Sequence, residues 1–372
     1  MRIGIDAKRA FNNRRGLGNY SRETLRILTT LSPEHQYYLF TPRTDPTIGF
    51  TCPPNAQLVT PKVKGTWPQS LWRTWGIAKE AKQQRLDLYH GLSHELPYGI
   101  EKTGIRTVLT MHDLLYLSHP EFFSAFDRTM YRKKYLRSCR VADRIVAISE
   151  RTRRDLLEQT DTPAEKVEVV YQGCHPRFRQ QITEEAKRQL KEQYRLPDAF
   201  LLNVAAFEPR KNQLVLLKAM EAGRFDLPLV IAGQETPYLE TLQQYARQHG
   251  LERKVCFLPN LPSDVLPALY QSATVFVFPS HYEGFGIPVV EALASGLPVI
   301  AATGSCLEES GGPDSLYCSP TDEAEWAERI AEVVGDETKR NTMIQLGLAY
   351  SERFSDQAIH QRLIHIYQNL VS

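Results

Sequence analysis

Two glutamates near the end of the chain, Glu283 and Glu291, lie eight positions apart around a short segment with helix signals. Pro288 suits the first turn of a helix, because proline has no amide hydrogen to lose there, and Gly296 suits its end, because glycine tolerates a left-handed backbone. The sequence therefore predicts a helix that starts near Ile287.

The start of this helix is a candidate anion site. Its free backbone N–H groups and the positive end of its dipole favour a phosphate, and Gly284 and Gly286 let a ligand approach the backbone of the preceding loop. The carboxylates of Glu283 and Glu291 can accept hydrogen bonds from sugar hydroxyls on either side of a diphosphate. An ordinary corner between a strand and a helix would explain the glycines and the proline, but not an acid following the apolar run 275–279. The segment is therefore interpreted as a site for a nucleotide-linked sugar.

Two cations follow a strand predicted at Phe200–Ala205. Arg210 and Lys211 stand at the start of the next helix, where an arginine can bind a diphosphate through its planar fork and a lysine as a point charge. Solvation at the surface is the alternative. Because the carboxyl ends of parallel strands share one edge of a sheet, both cations are expected at the same end as the Glu283–Glu291 loop, which favours a binding role.

The first half of the chain carries two weaker signals. Gly16 and Gly18 open the first predicted helix and resemble a loop that holds phosphate, although G-x-G also occurs in ordinary turns. The third glycine of a dinucleotide fingerprint is missing, so a nicotinamide cofactor is disfavoured. His112 follows a strand predicted at Arg106–Met111, where a histidine can donate to a hydroxyl or a phosphate. A structural role for His112 is the alternative.

These residues must be positioned by alternating strands and helices, the pattern of parallel sheets covered by helices. Strands are predicted at Arg2–Asp6, Tyr37–Thr41, Leu86–His90, Arg106–Met111, Arg144–Ile148, Lys166–Tyr171, Phe200–Ala205, Leu229–Ala232, Val255–Leu258, Thr274–Phe278 and Pro298–Ala301. Because 372 residues exceed what one hydrophobic core usually covers, two domains are expected. The predicted fold class is α/β, with two facing, Rossmann-like doubly wound domains, a cleft between them and a hinge at residues 173–179.

Charge is distributed unevenly along the chain. Residues 1–180 contain 29 Lys and Arg against 18 Asp and Glu, whereas residues 181–372 contain 16 against 25. This asymmetry suggests that the first half meets an anionic partner or that the halves attract each other, and chance surface composition is the alternative.

Ten of the cations lie within residues 128–154. They are Arg128, Arg132, Lys133, Lys134, Arg137, Arg140, Arg144, Arg151, Arg153 and Arg154. Phe122, Phe123 and Phe126 precede them. A basic helix beside aromatic residues could rest on an anionic membrane surface or guide a lipid-diphosphate acceptor, and a solvated basic face is the alternative. Nucleic acid is disfavoured as a partner, because no recognition motif accompanies the charge.

The overall composition is that of an ordinary soluble globular protein, with 42% hydrophobic and 24% charged residues. The N-terminus enters a strand at once, which leaves no room for a secretory signal, and no apolar run approaches the roughly 18 to 20 residues of a spanning helix. A cytoplasmic location is expected, with the cytoplasmic face of the inner membrane as a peripheral option. Six scattered cysteines without a C-x-x-C pair indicate reduced thiols.

No metal or other cofactor is expected. His90 and His94 have the i, i+4 spacing of a metal pair on a helix, but Gly91 and Ser93 between them indicate a loop, where that spacing loses its meaning. The chain contains no Asp-x-Asp, the usual handle for a divalent metal on a nucleotide diphosphate. Protein cations and helix dipoles would therefore neutralise the phosphates.

Taken in order, these motifs resemble the retaining glycosyltransferases of family 4, which have two facing Rossmann-like domains known as the GT-B fold. The segment with Glu283 and Glu291 is similar to the family's signature of a glutamate, seven residues and a second glutamate. The other similar segments are 16–20, 112–114, 148–150, 208–212 and 232–233. The resemblance implies an acceptor-side domain at 1–178, completed by a crossover at 354–372, and a donor-binding domain at 179–353.

The resemblance also implies roles for individual residues. Arg210 and Lys211 would bind the donor diphosphate, and Glu291 would hold the ribose hydroxyls. Glu283 would hold the donor sugar. The donor-binding set further includes Phe285, Gly286, Ile287 and Val290.

In the first half, the resemblance implies that Gly16 and Gly18 admit the distal phosphate and that His112 contacts the sugar as part of the catalytic set. The chain departs from the family pattern at Ala205-Ala206, where many relatives have glycine followed by arginine or threonine. Arg210 and Lys211 would then carry more of the charge.

The activity implied by the resemblance is transfer of a hexose, with mannose from GDP-mannose as the first candidate. The acceptor would be a glycan or a lipid-linked glycan in lipopolysaccharide, capsule or exopolysaccharide assembly. Retention fits a front-face attack in which the leaving phosphate accepts the acceptor's proton, and preorganised cations stabilise the leaving group. Two alternatives stay open: a nucleotide-sugar epimerase of the same fold, and a noncatalytic sugar-binding protein.

Overall fold

A computed structural model describes residues 1–61, 71–114, 117 and 124–372. The chain divides into two compact units, the first formed by Met1–Gly173 with Asp356–Ser372 and the second by Cys174–Ser355. The expected boundaries, after residues 178 and 353, both fall inside the second unit. Phe178 is buried there, with its ring packed edge-on against Tyr270 at 5.6 Å.

The described residues of the first unit form a seven-stranded parallel sheet in the order β3-β2-β1-β4-β5-β6-β7. Its strands are β1 Arg2–Asp6, β2 Gln36–Phe40, β3 Ala56–Val59, β4 Leu88–Gly91, β5 Arg106–Met111, β6 Arg144–Ala147 and β7 Val167–Val169. The α-helices of this part of the chain are α1 Lys8–Asn12, α2 Gly16–Leu31, α3 Ile77–Gln83, α4 Ala125–Val141 and α5 Glu150–Gln159. The central strands are buried on both faces, as expected for a parallel sheet covered by helices.

The C-terminal helix, Asp356–Val371, completes the first unit. Arg26 on α2 binds the Asp356 carboxylate through both terminal nitrogens, at 2.7 and 2.6 Å. Deeper inside, the Tyr367 hydroxyl lies 2.6 Å from Nδ1 of His90, a buried residue of β4. A bidentate ion pair and a buried hydrogen bond therefore tie this helix to α2 and to the sheet.

The second unit contains a six-stranded parallel sheet in the order β10-β9-β8-β11-β12-β13. Its strands are β8 Leu201–Val204, β9 Leu229–Gly233, β10 Val255–Pro259, β11 Val275–Phe278, β12 Val299–Ala302 and β13 Leu316–Cys318. Its α-helices are α6 Glu184–Tyr194, α7 Gln213–Glu221, α8 Tyr238–Gln248, α9 Leu266–Ser272, α10 Ile287–Ala294, α11 Leu307–Gly311, α12 Glu323–Gly335 and α13 Glu337–Ser351. The predicted class, two doubly wound parallel sheets, is confirmed, whereas the sequence interpretation missed the edge strands β3 and β13.

Each sheet has one point at which the strand order changes direction. In the first unit β1 pairs with β2 on one side and β4 on the other. In the second unit β8 pairs with β9 on one side and β11 on the other. Loops that follow such a pair of strands diverge and leave a crevice beyond their carboxyl ends, which is where doubly wound sheets bind ligands.

Candidate functional site

In the second unit, the loops after β8 and β11 bring three of the predicted site residues together. The Lys211 ammonium donates to Oε1 of Glu283 at 2.5 Å, and Nη1 of Arg210 lies 3.4 Å from the same oxygen. Arg210 also donates to the carbonyl of Tyr282 at 2.7 Å. The prediction that these cations share one edge of the sheet with Glu283 therefore agrees with their placement at the β8–β11 crevice.

The charge state of Glu283 follows from its surroundings. Its side chain is only 12% exposed, and burial alone would raise the pKa of the carboxyl. The charges of Lys211 and Arg210, with hydrogen bonds from Lys211 and Ser280, outweigh burial and hold the pKa below its ordinary value. Glu283 is therefore a carboxylate at neutral pH, and two cations contact it.

The predicted helix after Glu283 is α10, which begins at Ile287 with Pro288 in its first turn. Gly286 precedes it with φ of 94°, a left-handed conformation. A Cβ there would lie 2.6 Å from Leu307 and 3.0 Å from the hydroxyl of Ser310. Both the backbone conformation and the space therefore require glycine, which fixes the path of the loop into the helix.

Glu291 lies on the middle turn of α10, where its Oε2 accepts a hydrogen bond from the Tyr270 hydroxyl at 3.1 Å. Burial, followed by the charge of Glu291, raises the pKa of Tyr270, so the phenol stays a donor. Tyr270 is fully buried on α9 and orients the carboxylate. No sequence signal distinguishes it from an ordinary core tyrosine.

Two other predicted donor-binding residues contribute to the core. Val290 is fully buried, and Phe285 is 2% exposed with its ring 5.5 Å from that of Phe354. Any contact of these two residues with a ligand must therefore be made by their backbone.

Sequence reasoning also missed the residues that hold the Glu283 loop. The Ser280 hydroxyl donates to Oε1 of Glu283 at 2.6 Å, and the Cys306 thiol donates to the Glu283 carbonyl at 3.0 Å. Gly233, at the end of β9, allows close packing, because a Cβ there would lie 1.7 Å from the Ala205 carbonyl oxygen. Of these residues, Gly233 alone lies in a segment, 232–233, that the sequence analysis identified as similar to the family.

In the first unit, Gly16 and Gly18 form the first turn of α2 itself. A Cβ on Gly16 would meet nothing within 4 Å, whereas a Cβ on Gly18 would lie 1.8 Å from the carbonyl oxygen of Asn13. Gly16 therefore leaves the helix start open, and Gly18 is required by local packing.

His112 follows β5 and is 4% exposed. Burial, reinforced by the neighbouring His94, lowers the pKa of His112 to about 3, so the ring is uncharged at neutral pH. Its Nε2 lies 2.8 Å from the Leu92 carbonyl, which can only accept, so the proton is on Nε2. The remaining nitrogen, Nδ1, then carries a lone pair. We expected His112 to donate to a ligand; the geometry instead leaves it an acceptor.

In the structure, His90 and His94 contact different protein groups. His90 Nε2 lies 2.8 Å from the Thr110 hydroxyl, and His94 Nε2 accepts the backbone N–H of His112 at 3.1 Å. Burial lowers the pKa of each to about 3. Among the described residues, no group of three His, Cys, Asp or Glu side chains could hold a metal ion. All six cysteines carry free thiols.

The basic stretch 128–154 is divided among α4, β6 and α5. Some of its cations are paired, such as Arg137 with Glu101 at 2.6 Å. Others are exposed on α4 and have no ion-pair partner among the described residues; these are Arg128, Arg132, Lys133 and Arg140. Phe126 on the same helix is 77% exposed, and Phe122 and Phe123 lie outside the described residues. No helix in the described part of the chain is long and apolar enough to cross a membrane.

Two doubly wound units, with a charged cluster at the strand crevice of the second, define a protein of the GT-B class. The family model "Glycosyltransferase Family 4" matches residues 15–178, and the model "Glycosyl transferases group 1" matches residues 185–348. Together they cover most of the chain, which belongs to glycosyltransferase family 4.

Two relatives from Escherichia coli illustrate the sequence similarity. The chain is 29% identical to the O-antigen chain mannosyltransferase B over 288 residues, which is 76% of this chain and 74% of that protein. It is 31% identical to the serotype-specific mannosyltransferase WbdA over 280 residues, but spans only 34% of WbdA.

Solved structures agree on the fold. A glycosyltransferase from Rickettsia africae superposes with a TM-score of 0.78 at 15% identity, covering 100% of this chain and 98% of that one. Anabaena HepE in complex with UDP superposes with a TM-score of 0.78 at 19% identity, and the match covers 99% of this chain and 100% of that one. At these identities the similarity shows the GT-B fold alone.

Proposed function

We propose that this glycosyltransferase transfers a hexose with retention from a nucleotide-diphosphate sugar to a glycan or lipid-linked acceptor, with GDP-mannose as the first candidate donor. The observation that carries the proposal is the cluster of Arg210, Lys211 and Glu283 at the β8–β11 crevice. The mannosyltransferases among the relatives support mannose as the sugar. The epimerase and the noncatalytic sugar-binding protein have no comparable support, because both family models describe glycosyl transferases.

The cluster suits departure of a nucleoside diphosphate. Negative charge develops on the leaving oxygen, and the cations of Arg210 and Lys211 are already fixed by Glu283 and the Tyr282 carbonyl. Preorganised charge needs no reorganisation as the bond breaks, which makes it effective at lowering the barrier. We assign the donor diphosphate to these two side chains.

Glu283 is suited to holding the sugar. Within the described part of the chain, every contact to its carboxylate is made at Oε1. Oε2 is therefore available to accept a hydroxyl of the donor sugar, and we assign the backbone of Gly286 and Ile287 to the same sugar. The leaving phosphate would accept the acceptor's proton, so no protein nucleophile is required.

Three further assignments are part of the proposal. Glu291, held by Tyr270, would accept hydrogen bonds from the ribose. The open helix start at Gly16 would admit the distal phosphate, and His112 would accept a hydroxyl at Nδ1. Metal would not be required, because Arg210 and Lys211 supply the positive charge.

A panel of nucleotides tests the donor assignment. We expect GDP to raise the melting temperature of the protein more than UDP, ADP or dTDP, with EDTA present throughout, because a ligand bound only to the folded state stabilises it by mass action. When the free nucleotide concentration is about 100 times Kd, the folded state is stabilised by roughly 2.7 kcal/mol. A selective shift with another base would correct the donor, and no shift with any nucleotide at millimolar concentration would overturn the proposal. A requirement for added metal would contradict the metal-independent chemistry.

We also propose a peripheral membrane contact through α4. Phe126, Lys133 and Arg140 are spaced by seven residues and so share one stripe of the helix. In flotation assays, vesicles with about 30% phosphatidylglycerol are expected to retain the protein more than neutral vesicles do. Each cation removed from the stripe should weaken this binding by about 1 kcal/mol. Replacing Lys133 and Arg140 with glutamate should abolish the difference, whereas Lys187→Glu on α6 should not. Equal binding to both vesicle types would refute this contact.

A further inference from the structure

The first unit has its own polar crevice at the point where its strand order changes direction. Asp6 is the last residue of β1, and Glu95 follows β4, its neighbour across that point. Arg73 joins them, with Nη2 2.6 Å from the Asp6 carboxylate and Nη1 2.8 Å from that of Glu95. Asp6 is 2% and Arg73 11% exposed, so the ion pairs are largely shielded from solvent. A buried triad of this kind holds side chains at the crevice in fixed positions.

The triad leaves bonding capacity on the accessible side of the crevice. The described contacts to the Glu95 carboxylate are all made at Oε2, including Lys134 at 3.9 Å, so Oε1 can still accept a hydrogen bond. Lys134 can donate beside it. Arg73 is bonded to both carboxylates, and Lys8 and Lys134 lie near them, so the positions left for a ligand are single acceptors and donors that suit sugar hydroxyls.

An aromatic pair stands beside this crevice. Arg73 belongs to a π-helix, Trp72–Gly76, a rare turn that occurs often at functional sites. The π-helix places Trp72 in the core and Trp75 outside, where it is 49% exposed. The Trp75 ring lies 5.8 Å from that of Tyr98, which lines the same pocket as Glu95 and Lys134.

The two rings are held in place although they are exposed. The backbone N–H of Tyr98 donates to the Thr74 carbonyl at 2.7 Å, which links the loop to the π-helix. The Arg137 guanidinium covers one face of Tyr98 at 4.1 Å and donates to the carbonyls of Leu96 and Pro97. An exposed aromatic pair whose members are held by neighbouring backbone and by an arginine is preorganised for contact with a ligand.

We propose that Trp75 and Tyr98, with Glu95 and Lys134, form a subsite for a neutral hexopyranose ring of the acceptor glycan. The C–H face of a pyranose packs on aromatic rings, and its hydroxyls bond to a carboxylate and an ammonium. Arg73 and Asp6 act as positioning residues for Glu95. The inference rests on the proposed function only in calling the ligand an acceptor; binding of a neutral sugar can be measured without a donor.

Binding of neutral oligosaccharides tests the subsite. The probes are α-mannotriose, maltotriose and β-1,4-galactotriose, each titrated with detection by saturation-transfer NMR. At least one is expected to bind, and Trp75→Ala and Tyr98→Ala should each weaken it about tenfold. Trp75→Phe should restore most of the affinity, because a ring is kept. Leu58→Ala, which removes an exposed apolar side chain on β3 of the same unit, should leave the affinity unchanged.

Three results of the binding measurements would overturn the subsite. They are no binding of any of the three sugars, wild-type affinity in folded Trp75→Ala, and tighter binding of mannose 1-phosphate than of the neutral sugars. A change in oligomeric state without a change in sugar affinity would also overturn it, since it would make the pair a contact between protein chains. The rise in melting temperature caused by nucleotide should be the same in Trp75→Ala and Tyr98→Ala as in the wild type. If that rise is absent in the wild type while the sugar binds, the donor proposal fails and the subsite stands.

Discussion

Replacement of Lys211 with alanine is expected to lower kcat by about 10²–10³-fold, the range seen when one preorganised group that stabilises transition-state charge is removed. The Lys211 ammonium is 14% exposed and bonded to Glu283, so its position is set before the donor binds. Its removal takes a charge away from the leaving diphosphate. It also leaves Glu283 with Arg210 at 3.4 Å as the remaining cation.

The same variant should change the pH dependence of the reaction. Lys211 is the largest of the influences that lower the pKa of Glu283, and burial acts in the opposite direction. Without the lysine, the pKa of Glu283 should rise. Because the carboxylate is the form that binds hydroxyls as an acceptor, activity on the acid side should be lost at a higher pH than in the wild type. A pH profile of kcat/KM from pH 4 to 8 measures this shift.

Matched variants separate charge from structure. Lys211→Arg keeps a cation and should recover part of the rate, although its planar fork does not reproduce the point charge. Lys218→Ala removes an exposed lysine on α7 and should have no effect. A folded Lys211→Ala enzyme with kcat within threefold of the wild type would contradict the assignment of the donor diphosphate to Lys211.

The strands were predictable where the sheet buries them. β1 and β5 begin and end at the predicted residues, because each contains a buried run with β-branched and other apolar residues, such as Ile3 and Ile5 in β1 and Val108 in β5. The edge strands β3 and β13 gave no such run. Gln57 and Leu58 in β3 are exposed, and β13 has only three residues, so backbone pairing with one neighbour defines both.

The site was predictable where its geometry is local. Pro288 and Gly286 constrain the backbone through their own chemistry, so the start of α10 follows from the sequence. The pair Lys211 and Glu283 joins residues 72 positions apart. Sequence could place both at one edge of a sheet, but their contact depends on the β8–β11 pairing.

Protonation depends on still longer-range features. That His112 could bind a ligand follows from its place after a strand. Its neutral state comes from burial, and its tautomer comes from the carbonyl of Leu92, 20 positions earlier. Neither the burial nor the position of that carbonyl can be derived before the fold is known.

Glu291→Ala is expected to weaken nucleotide binding about 100-fold, since hydrogen bonds to a charged group contribute roughly 1.5–3 kcal/mol each. The proposed contacts are to the ribose, which is remote from the bond that breaks and unchanged in the transition state. The loss should therefore appear as a higher KM for the donor with little change in kcat. Calorimetric titration with the nucleotide selected by the melting panel measures the affinity directly.

A graded series tests whether Glu291 acts through a positioned carboxylate. Tyr270→Phe keeps the buried ring and removes only the hydroxyl that bonds to Glu291 at 3.1 Å, so a smaller loss of about three- to tenfold is expected. Combined with Glu291→Ala, it should add nothing further, because residues that act through one contact are not additive. Glu192→Ala, at an exposed position on α6, is the control for loss of a carboxylate. If Glu291→Ala binds the nucleotide within twofold of the wild-type affinity, the assignment of the ribose to Glu291 is wrong. If the losses in the double variant are additive, Tyr270 acts on nucleotide binding by a route other than Glu291.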